Sequence, residues 1–531
     1  MSMHAVSLKK TPIQEVVPEE GKLPLPQPAP PPIWEQWLRV QPDSPESSVA
    51  RWANRAVLIG VALFVLSLPH SIAAAHVSLI LSALAWLTRD ALMRRFHFQR
   101  TPLDVPLLAF AAITLLSTIF SAEPSLSFPK LKSLLLFGVL YVLATNLSVR
   151  ALKPLLVLLL LSGLCGVLFS IGDRLYGRGV IIKTIAADSP LLRDQALEAR
   201  LQPGDAIWMI GRLRVYSLSA IRGVIRRAPV GTKLDLEALH RGDPIPATVI
   251  VTDELKAQPN LLGLTVGGHT HRFRVTGFGR QFQTYAEQMQ LFALLCYGLL
   301  LVGWRKGWRS KLMLGVALLF LLFSIGLMLT VTRAVLVSFS LALLLVPLFV
   351  RGKRAALIGV ALVMLLGFTA FGWLGKARSV EVMRDSTLRR FEYMQAGLRV
   401  IPQHPLLGTG MDAAKRHWQE WGFPGVYVTH THSTPIQIAM ERGLVALGVL
   451  LWLWFAACRM AWGNYASALS QPLTKGLALS VLGALLGFAA SSLVNYNFGD
   501  AEVLLLLLTM MGCLVVANES ESTLNIAPDR G

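Results

Sequence analysis

The chain has 531 residues, of which 53% are hydrophobic and only 15% charged, so it lacks the polar surface that a soluble protein of this length needs. That composition excludes a water-soluble globular enzyme and points to a membrane protein. The formal net charge of +19 would suit a nucleic-acid binder, but Lys and Arg sit mostly in short loops between apolar runs, where they report membrane orientation, so no nucleic-acid partner is expected.

Residues 1–52 are Pro-rich around LPLPQPAPPP and carry no apolar stretch followed by a small-residue cleavage site. They read as a disordered cytoplasmic arm, a linker or a ligand for a proline-binding module, rather than a signal peptide. Twelve apolar segments follow that are long enough to cross a bilayer, which takes about 20 residues each. They lie near 56–73, 75–92, 103–120, 132–147, 153–172, 285–303, 312–329, 334–350, 355–374, 434–457, 474–494 and 500–517. The expected fold class is an all-α polytopic membrane protein of about twelve transmembrane helices with an inserted small α/β extracytoplasmic domain. Spans 1–5 occupy 53–173, the insert 174–284, spans 6–9 285–375, a second polar loop 376–433, spans 10–12 434–517 and a cytoplasmic tail 518–531. The four cysteines, Cys165, Cys296, Cys458 and Cys513, fall in expected spans and form neither a disulfide framework nor a zinc spacing.

With the N-terminus in the cytoplasm, the inner loops carry Arg89, Arg94, Arg95 and Arg100; Arg150 and Lys153; Arg305, Lys306, Arg309 and Lys311; Arg351, Lys353 and Arg354; and Arg459 and Lys475. The short outer loops are poor in cations, so the positive-inside rule selects this orientation, with both termini inside. The two long polar insertions follow odd-numbered spans and are therefore expected on the outer face.

Within the first insertion, GVIIKTIAADSP reads as a strand and turn, LQPGDAIWMIG as a turn and strand, SLSAIRGVIRRA as a short helix and TKLDLEALHRGDPIPATVIV as a hairpin. The order of these pieces over about residues 177–255 resembles a bacterial PDZ domain. That resemblance implies that Pro203, Gly204 and Asp205 launch a central strand and that a peptide C-terminus adds to a strand edge beside the helix, near Gly177, Arg178 and Gly179. Two readings stand, a peptide-binding module and a spacer that shapes access to the membrane part. A displaced first strand, LLGLTVG at 261–267, is an alternative placement. Intramembrane metalloproteases also carry such inserts, but their zinc chemistry needs HExxH on a helix, which this chain lacks.

The second insertion holds STLRRFEYMQAGLRVI, whose Leu388, Phe391, Met394, Leu398 and Ile401 recur at the spacing of an amphipathic helix. Arg390 flanks that stripe, where it can lie along a membrane surface and reach a polar cleft, while Arg389 on the opposite face meets water. HPLLGTGMD then forms a Pro and Gly loop, and THTHSTPIQIAMERG leads into the tenth span. Here Thr434, Pro435 and Gln437 suit a helix start, with Thr434 as N-cap and Pro435 at the first helical position. An extended HTH segment would send the His430 and His432 rings to one side. Arg333 in LTVTRAVL adds a further cation at the membrane lip, where charge is costly and points to function.

Together these segments, over about residues 320–520, resemble the O-antigen ligase family. The carriers are the Thr332-Arg333 pair after an apolar span, Arg390 opening an amphipathic helix, HPLLGTG at 404–410, and the His432 motif with Ile436, Glu441 and Gly443 downstream. The family motif selects His432 over His430, because the motif glycine, Gly443, follows it by eleven residues. The resemblance implies transfer of a glycan from a polyprenyl (undecaprenyl) pyrophosphate donor to an acceptor hydroxyl, without metal or other cofactor, on the periplasmic side of a bacterial inner membrane. Lipid A-core is the first-ranked acceptor. A polymerase or protein O-oligosaccharyltransferase would use the same donor, and a non-catalytic PDZ scaffold or flippase is the reading from another class.

Residue chemistry agrees with that implication. Guanidinium groups fork onto phosphate oxygens and stabilise a leaving pyrophosphate, which makes Arg333 and Arg390 the donor-site candidates. Imidazole titrates where a base is useful, which makes His432 the candidate general base of a single, inverting displacement. Thr332, His430 and Glu441 are the supporting candidates.

Overall fold

The computed structural model describes residues 33–40, 48–350, 362 and 380–524, with interruptions at 188, 190, 192–200, 212, 241, 258–261, 306, 308–309, 426–427, 429 and 468. Among the described residues nine helices are long and apolar enough to cross a membrane, and Asp104–Ile119 and Arg333–Phe349 are shorter apolar helices. Eleven of the twelve segments expected from the sequence fall on these elements, while 355–374, apart from residue 362, lies outside the described residues. The fourth segment starts earlier than expected, at Pro124, and its residues Phe128–Phe137 are wound as a 3-10 helix with Pro129 in the first turn.

Helix Phe282–Arg305 is central, being almost entirely buried along its apolar window between Ser310–Leu329 and Pro472–Ser492. Close approach is possible because small residues face it: a Cβ on Gly298 would lie 2.3 Å from the backbone nitrogen of Ser480. Its polar side chains are accordingly internal and bonded to neighbouring helices. Ser338 Oγ donates to Gln290 Oε1 over 3.2 Å, and Ser491 Oγ donates to Glu287 Oε1 over 3.2 Å.

In the insert, strands β1 (Val180–Ile185), β2 (Ala206–Ile210), β3 (Leu213–Arg214), β4 (Lys233–His240), β5 (Asp243–Ile250) and β6 (Leu264–Val266) form one antiparallel sheet. Its order is β5-β4-β2-β1-β6, with β3 beside β2. Helix Leu218–Arg227 is capped by Ser217, whose Oγ accepts from the Ala220 N–H, and it packs Ile221 and Ile225 onto the sheet's own apolar core. The strands, helix and hairpin expected from the sequence are therefore present. Both edges of β1 are used within the chain, however: Val180 and Ile181 pair with β2, and Ile182–Ile185 pair with β6. The segment 264–270 thus occupies the edge that an added peptide strand would need, and β6, Leu264–Val266 within LLGLTVG, is the edge strand of the sheet.

Arg178 does not line an open loop. It is buried, ion-paired with Asp173 at the end of helix Leu152–Tyr176, and stacked over Trp208 and Phe273 at 4.7 and 4.3 Å. Arg214 adds bonds to Asp173 at 3.4 Å and to the Gly277 carbonyl at 2.6 Å. The sheet is thereby fastened to the membrane helices at both its entry and its exit. Removing Asp173 would strand a buried guanidinium, which costs about 3–5 kcal/mol. Asp173→Ala is expected to raise hydrogen exchange across 178–276 while helix Phe282–Arg305 stays protected; unchanged protection of the insert would show that the pair does not anchor it.

Candidate active site

The site is organised by a break in helix Thr434–Ala466. Gly443 takes φ 84° and ψ 168°, a conformation essentially reserved for glycine. In an unbroken helix the Leu444 N–H would bond to the Met440 carbonyl. It bonds instead to the Pro405 carbonyl at 2.8 Å, and the loop 404–410 satisfies the freed groups: Thr409 N–H donates to Met440 O at 2.9 Å and Gly410 N–H to Glu441 O at 2.8 Å. Contact is backbone to backbone, since a Cβ on Gly443 would sit 2.0 Å from Leu406 O and one on Gly408 2.4 Å from the Glu441 carbonyl carbon. The HPLLGTG loop and the glycine after Glu441 are thus two halves of one joint.

At the head of the same helix the N-cap is Ser433, not the expected Thr434. Thr434 Oγ1 is drawn away to Asn495 O and Asn497 Oδ1, at 3.1 and 3.0 Å. Gln437 serves the preceding loop: its Oε1 accepts from Thr431 N–H at 2.8 Å, and its Nε2 donates to Glu441 Oε1 at 2.9 Å. His432 departs from the expected extended backbone, with φ 58°, and its N–H turns back to donate to His430 Nδ1 at 3.2 Å. The neutral His430 ring therefore carries its proton on Nε2. The two rings still share a side, edge to face at 4.4 Å, while Thr431 between them is buried against Gly397.

Helix Val380–Val400 packs Tyr393, Ala396 and Val400 inward and leaves Leu388, Phe391 and Leu398 exposed, so the apolar stripe faces away from the protein. Arg390 beside that stripe reaches inward, and its Nη1 donates to Asn495 Oδ1 at 3.2 Å. Arg389 is exposed. Asn495 in turn donates to Glu287 Oε1 at 3.1 Å, so a buried acid of the central helix orients the residue that holds Arg390. Arg333 donates to Thr387 Oγ1 at 3.3 Å, one helical turn before Arg390. Thr332 is buried and accepts from Arg274 of the insert at 3.1 Å.

His430, His432 and Arg390 are close enough to influence one another's charge. Burial first, then the Arg390 cation, lowers the His430 pKa to about 4. Burial, then His430 and Arg390, lowers His432 to about 3. Both rings are neutral at pH 7, and His432 Nδ1 is buried without a hydrogen-bond partner. His432 also packs against the Tyr393 ring at 5.7 Å. Glu441 does not join this group; its side chain takes the Asp412 N–H at 3.1 Å and the Gln437 amide.

A cavity of about 1390 Å³ lies beside the histidines and is lined by His430, Glu441, Arg442, Asp412, Tyr496 and Glu287 among others. His430 belongs to its wall, whereas His432, Arg390 and Arg333 do not. Among the described residues no group of three or more His, Cys, Asp or Glu side chains is arranged to hold a metal. Arg442, Asn495 and Glu287 escaped the sequence reading, although the acid in QTYAEQMQ and the asparagines of NYNFGD are polar groups bounding apolar spans, which is a legible signal.

Residues 318–453 match a family model described as O-antigen ligase. This region is similar to O-antigen ligases. The match takes in Arg333, Arg390, the 404–410 loop, His432 and the Gly443 joint, and it leaves out the insert and Asn495. It supports that family for the chain and, with it, a glycosyltransferase-like enzyme in a multi-pass membrane protein. No curated protein matches the chain at a significant level.

Because the joint leaves no room for a side chain, Gly443→Ala is expected to lose about 1–3 kcal/mol for the backbone conformation alone, and more for the clash. Thermal unfolding of the purified protein and a turnover assay would read this. Wild-type stability together with wild-type turnover would show that the joint does not organise the site.

Proposed function

We propose that this protein is a membrane glycosyltransferase that moves a glycan from a polyprenyl (undecaprenyl) pyrophosphate donor to an acceptor hydroxyl on lipid A-core. The observation that carries the reading is that Arg390 bonds to Asn495, whose carbonyl in turn takes the Thr434 N–H just after the paired His430 and His432 rings, at the head of the broken helix and beside the segment similar to O-antigen ligases. A pyrophosphate carried on lipid needs fixed cations at a membrane lip, and Arg390 and Arg333 lie one helical turn apart through Thr387. The positive loops support an orientation with the termini in the cytoplasm and this site on the periplasmic side of the inner membrane.

In the displacement, the acceptor oxygen attacks the anomeric carbon as its proton passes to His432. The bond from that carbon to the pyrophosphate oxygen breaks, and its electron pair leaves with the pyrophosphate, whose growing charge the guanidinium groups stabilise. Attack opposite the leaving group inverts the anomeric centre. No metal is invoked. The neutral resting state of His432 suits a base, and the donor's own charge tunes it, since an anion paired with Arg390 removes one of the causes that depress the imidazole pKa. The insert, tied to Thr332 through Arg274, is read as an element shaping access to this lip, its β1 edges being occupied.

Two outcomes follow for purified protein with a lipid-pyrophosphate glycan and a lipid A-core acceptor. His432→Ala should lower turnover about 10²–10⁴-fold with donor affinity nearly unchanged, whereas Arg390→Lys should weaken both, because Lys keeps the charge but not the planar fork. Near-normal turnover by His432→Ala would refute the base assignment. Second, activity is lost as pH falls and His432 protonates. The acid limb of kcat/KM, which reports the free enzyme, should lie below the ordinary imidazole value of about 6.5, and that of kcat should lie higher once donor offsets Arg390. A kcat/KM limb at the ordinary imidazole value, absent in no variant of His432, would place the titrating base elsewhere.

A further inference from the structure

Helix Ile72–Leu92 begins beside the cavity that His430 lines and ends 21 residues later, about 30 Å away at the opposite membrane face. There residues 93–103 lead to helix Asp104–Ile119 as turns and irregular chain, yet polar groups fix their path. Asp90 Oδ2 accepts from Trp86 Nε1 at 3.0 Å and from the His97 N–H at 2.8 Å, and the Gln99 N–H donates to Thr145 Oγ1 of helix Gly138–Asn146 at 3.1 Å. Arg89 is engaged inward, with Asp90 at 2.8 Å and Asn54 at 3.0 Å. The His97 ring is turned in to Asp90 as well, at 3.2 Å, while its neighbours Phe96 and Phe98 are turned out and exposed. Residues 93–103 contain no acid, and their arginines, Arg94, Arg95 and Arg100, are all exposed.

The exposed rings belong to a ladder. Trp86, Phe96, Phe98 and Tyr141 stack in turn, with centroids 6.0, 6.2 and 4.9 Å apart and planes inclined by 20°, 10° and 21°. It runs from helix Ile72–Leu92 to helix Gly138–Asn146, and Leu81, Leu84 and Leu87 continue it up the first of these as exposed apolar side chains. A hydrocarbon track that ends in rigid rings flanked by cations matches one kind of molecule, with chains on the track and phosphate on guanidinium groups. We propose that loop 93–103 is a docking surface for an anionic phospholipid of the leaflet opposite the histidine site. Its phosphate rests on Arg94 and Arg100, and its acyl chains pass Phe96, Phe98 and Leu87 toward Leu84. This ligand is an ordinary two-chain membrane lipid, and its surface lies outside the segment similar to O-antigen ligases.

The test reads lipid binding by the full-length purified chain, so it stands apart from the transferase reading. Delipidated protein is titrated with phosphatidylglycerol or with phosphatidylcholine of the same acyl chains, and bound lipid is counted by native mass spectrometry. The first phosphatidylglycerol should bind at least fivefold tighter than the first phosphatidylcholine. Arg94→Gln with Arg100→Gln should weaken phosphatidylglycerol at least fivefold and leave phosphatidylcholine within twofold. Phe96→Ala with Phe98→Ala should weaken both lipids at least threefold, because the rings meet chains common to both. Arg459→Gln with Lys475→Gln removes the same charge from the same membrane face, away from the ladder, and should change neither. An equal loss from that control pair would show that net charge alone attracts the lipid, and would overturn the site. Equal affinity for the two lipids in the wild type would overturn the anionic assignment. Unchanged binding in both loop variants would overturn the lipid itself and leave the exposed rings to a protein partner.

Discussion

The break at Gly443 is the constraint on which the site depends. Opening a helix near a membrane releases carbonyls that no water is on hand to satisfy, and each unsatisfied group costs several kcal/mol. The loop 404–410 supplies the missing donors from Thr409 and Gly410, and Ser117 of helix Asp104–Ile119 adds a bond to the Glu441 carbonyl at 2.9 Å. Three distant parts of the chain therefore meet at one point, and none can shift without stranding backbone polar groups. From that point the short helical piece before the break presents Arg442 to the cavity at one end and the His430–His432 turn at the other.

A second network ties the cations to the membrane core. Glu287 of the central helix holds Asn495, Asn495 holds Arg390, and Asn497 is fixed by Ser491 and by the Phe488 carbonyl, at 2.9 and 3.1 Å. Asparagine is suited to this position because its amide donates one way and accepts the other, so a carboxylate and a guanidinium are joined without touching. Arg390 is thus positioned by residues far from it in sequence. The left-handed backbone at His432 is sustained by the same crowding, since Thr431 is held by Gln437 and Thr434 by Asn495.

The insert is joined to the membrane helices by one buried and two partly buried cations. Arg178 and Arg214 converge on Asp173, and Arg274 reaches the 330–332 turn, where its Nε donates to Thr330 O at 2.8 Å. Arg274 Nη2 also donates to Thr332 Oγ1 at 3.1 Å, which places the insert one residue away from Arg333. Any motion of the insert would be felt at the turn that starts helix Arg333–Phe349.

Apolar length, read in sequence, was enough to locate eleven of the twelve expected segments on helices, because in lipid the backbone must satisfy itself and apolar runs of about 20 residues have few alternatives. Thr332, Arg333, Arg390, His430, His432 and Glu441 stand out in the sequence because polar and charged side chains are conspicuous beside apolar spans. Only the tertiary structure decided what each of them touches. It separated Glu441 from the histidines, gave the cap to Ser433, occupied both edges of β1, and brought in Asn495, Glu287 and Arg442. Those assignments depend on which buried polar groups face each other across helices, and partners far apart along the chain leave no mark in local periodicity.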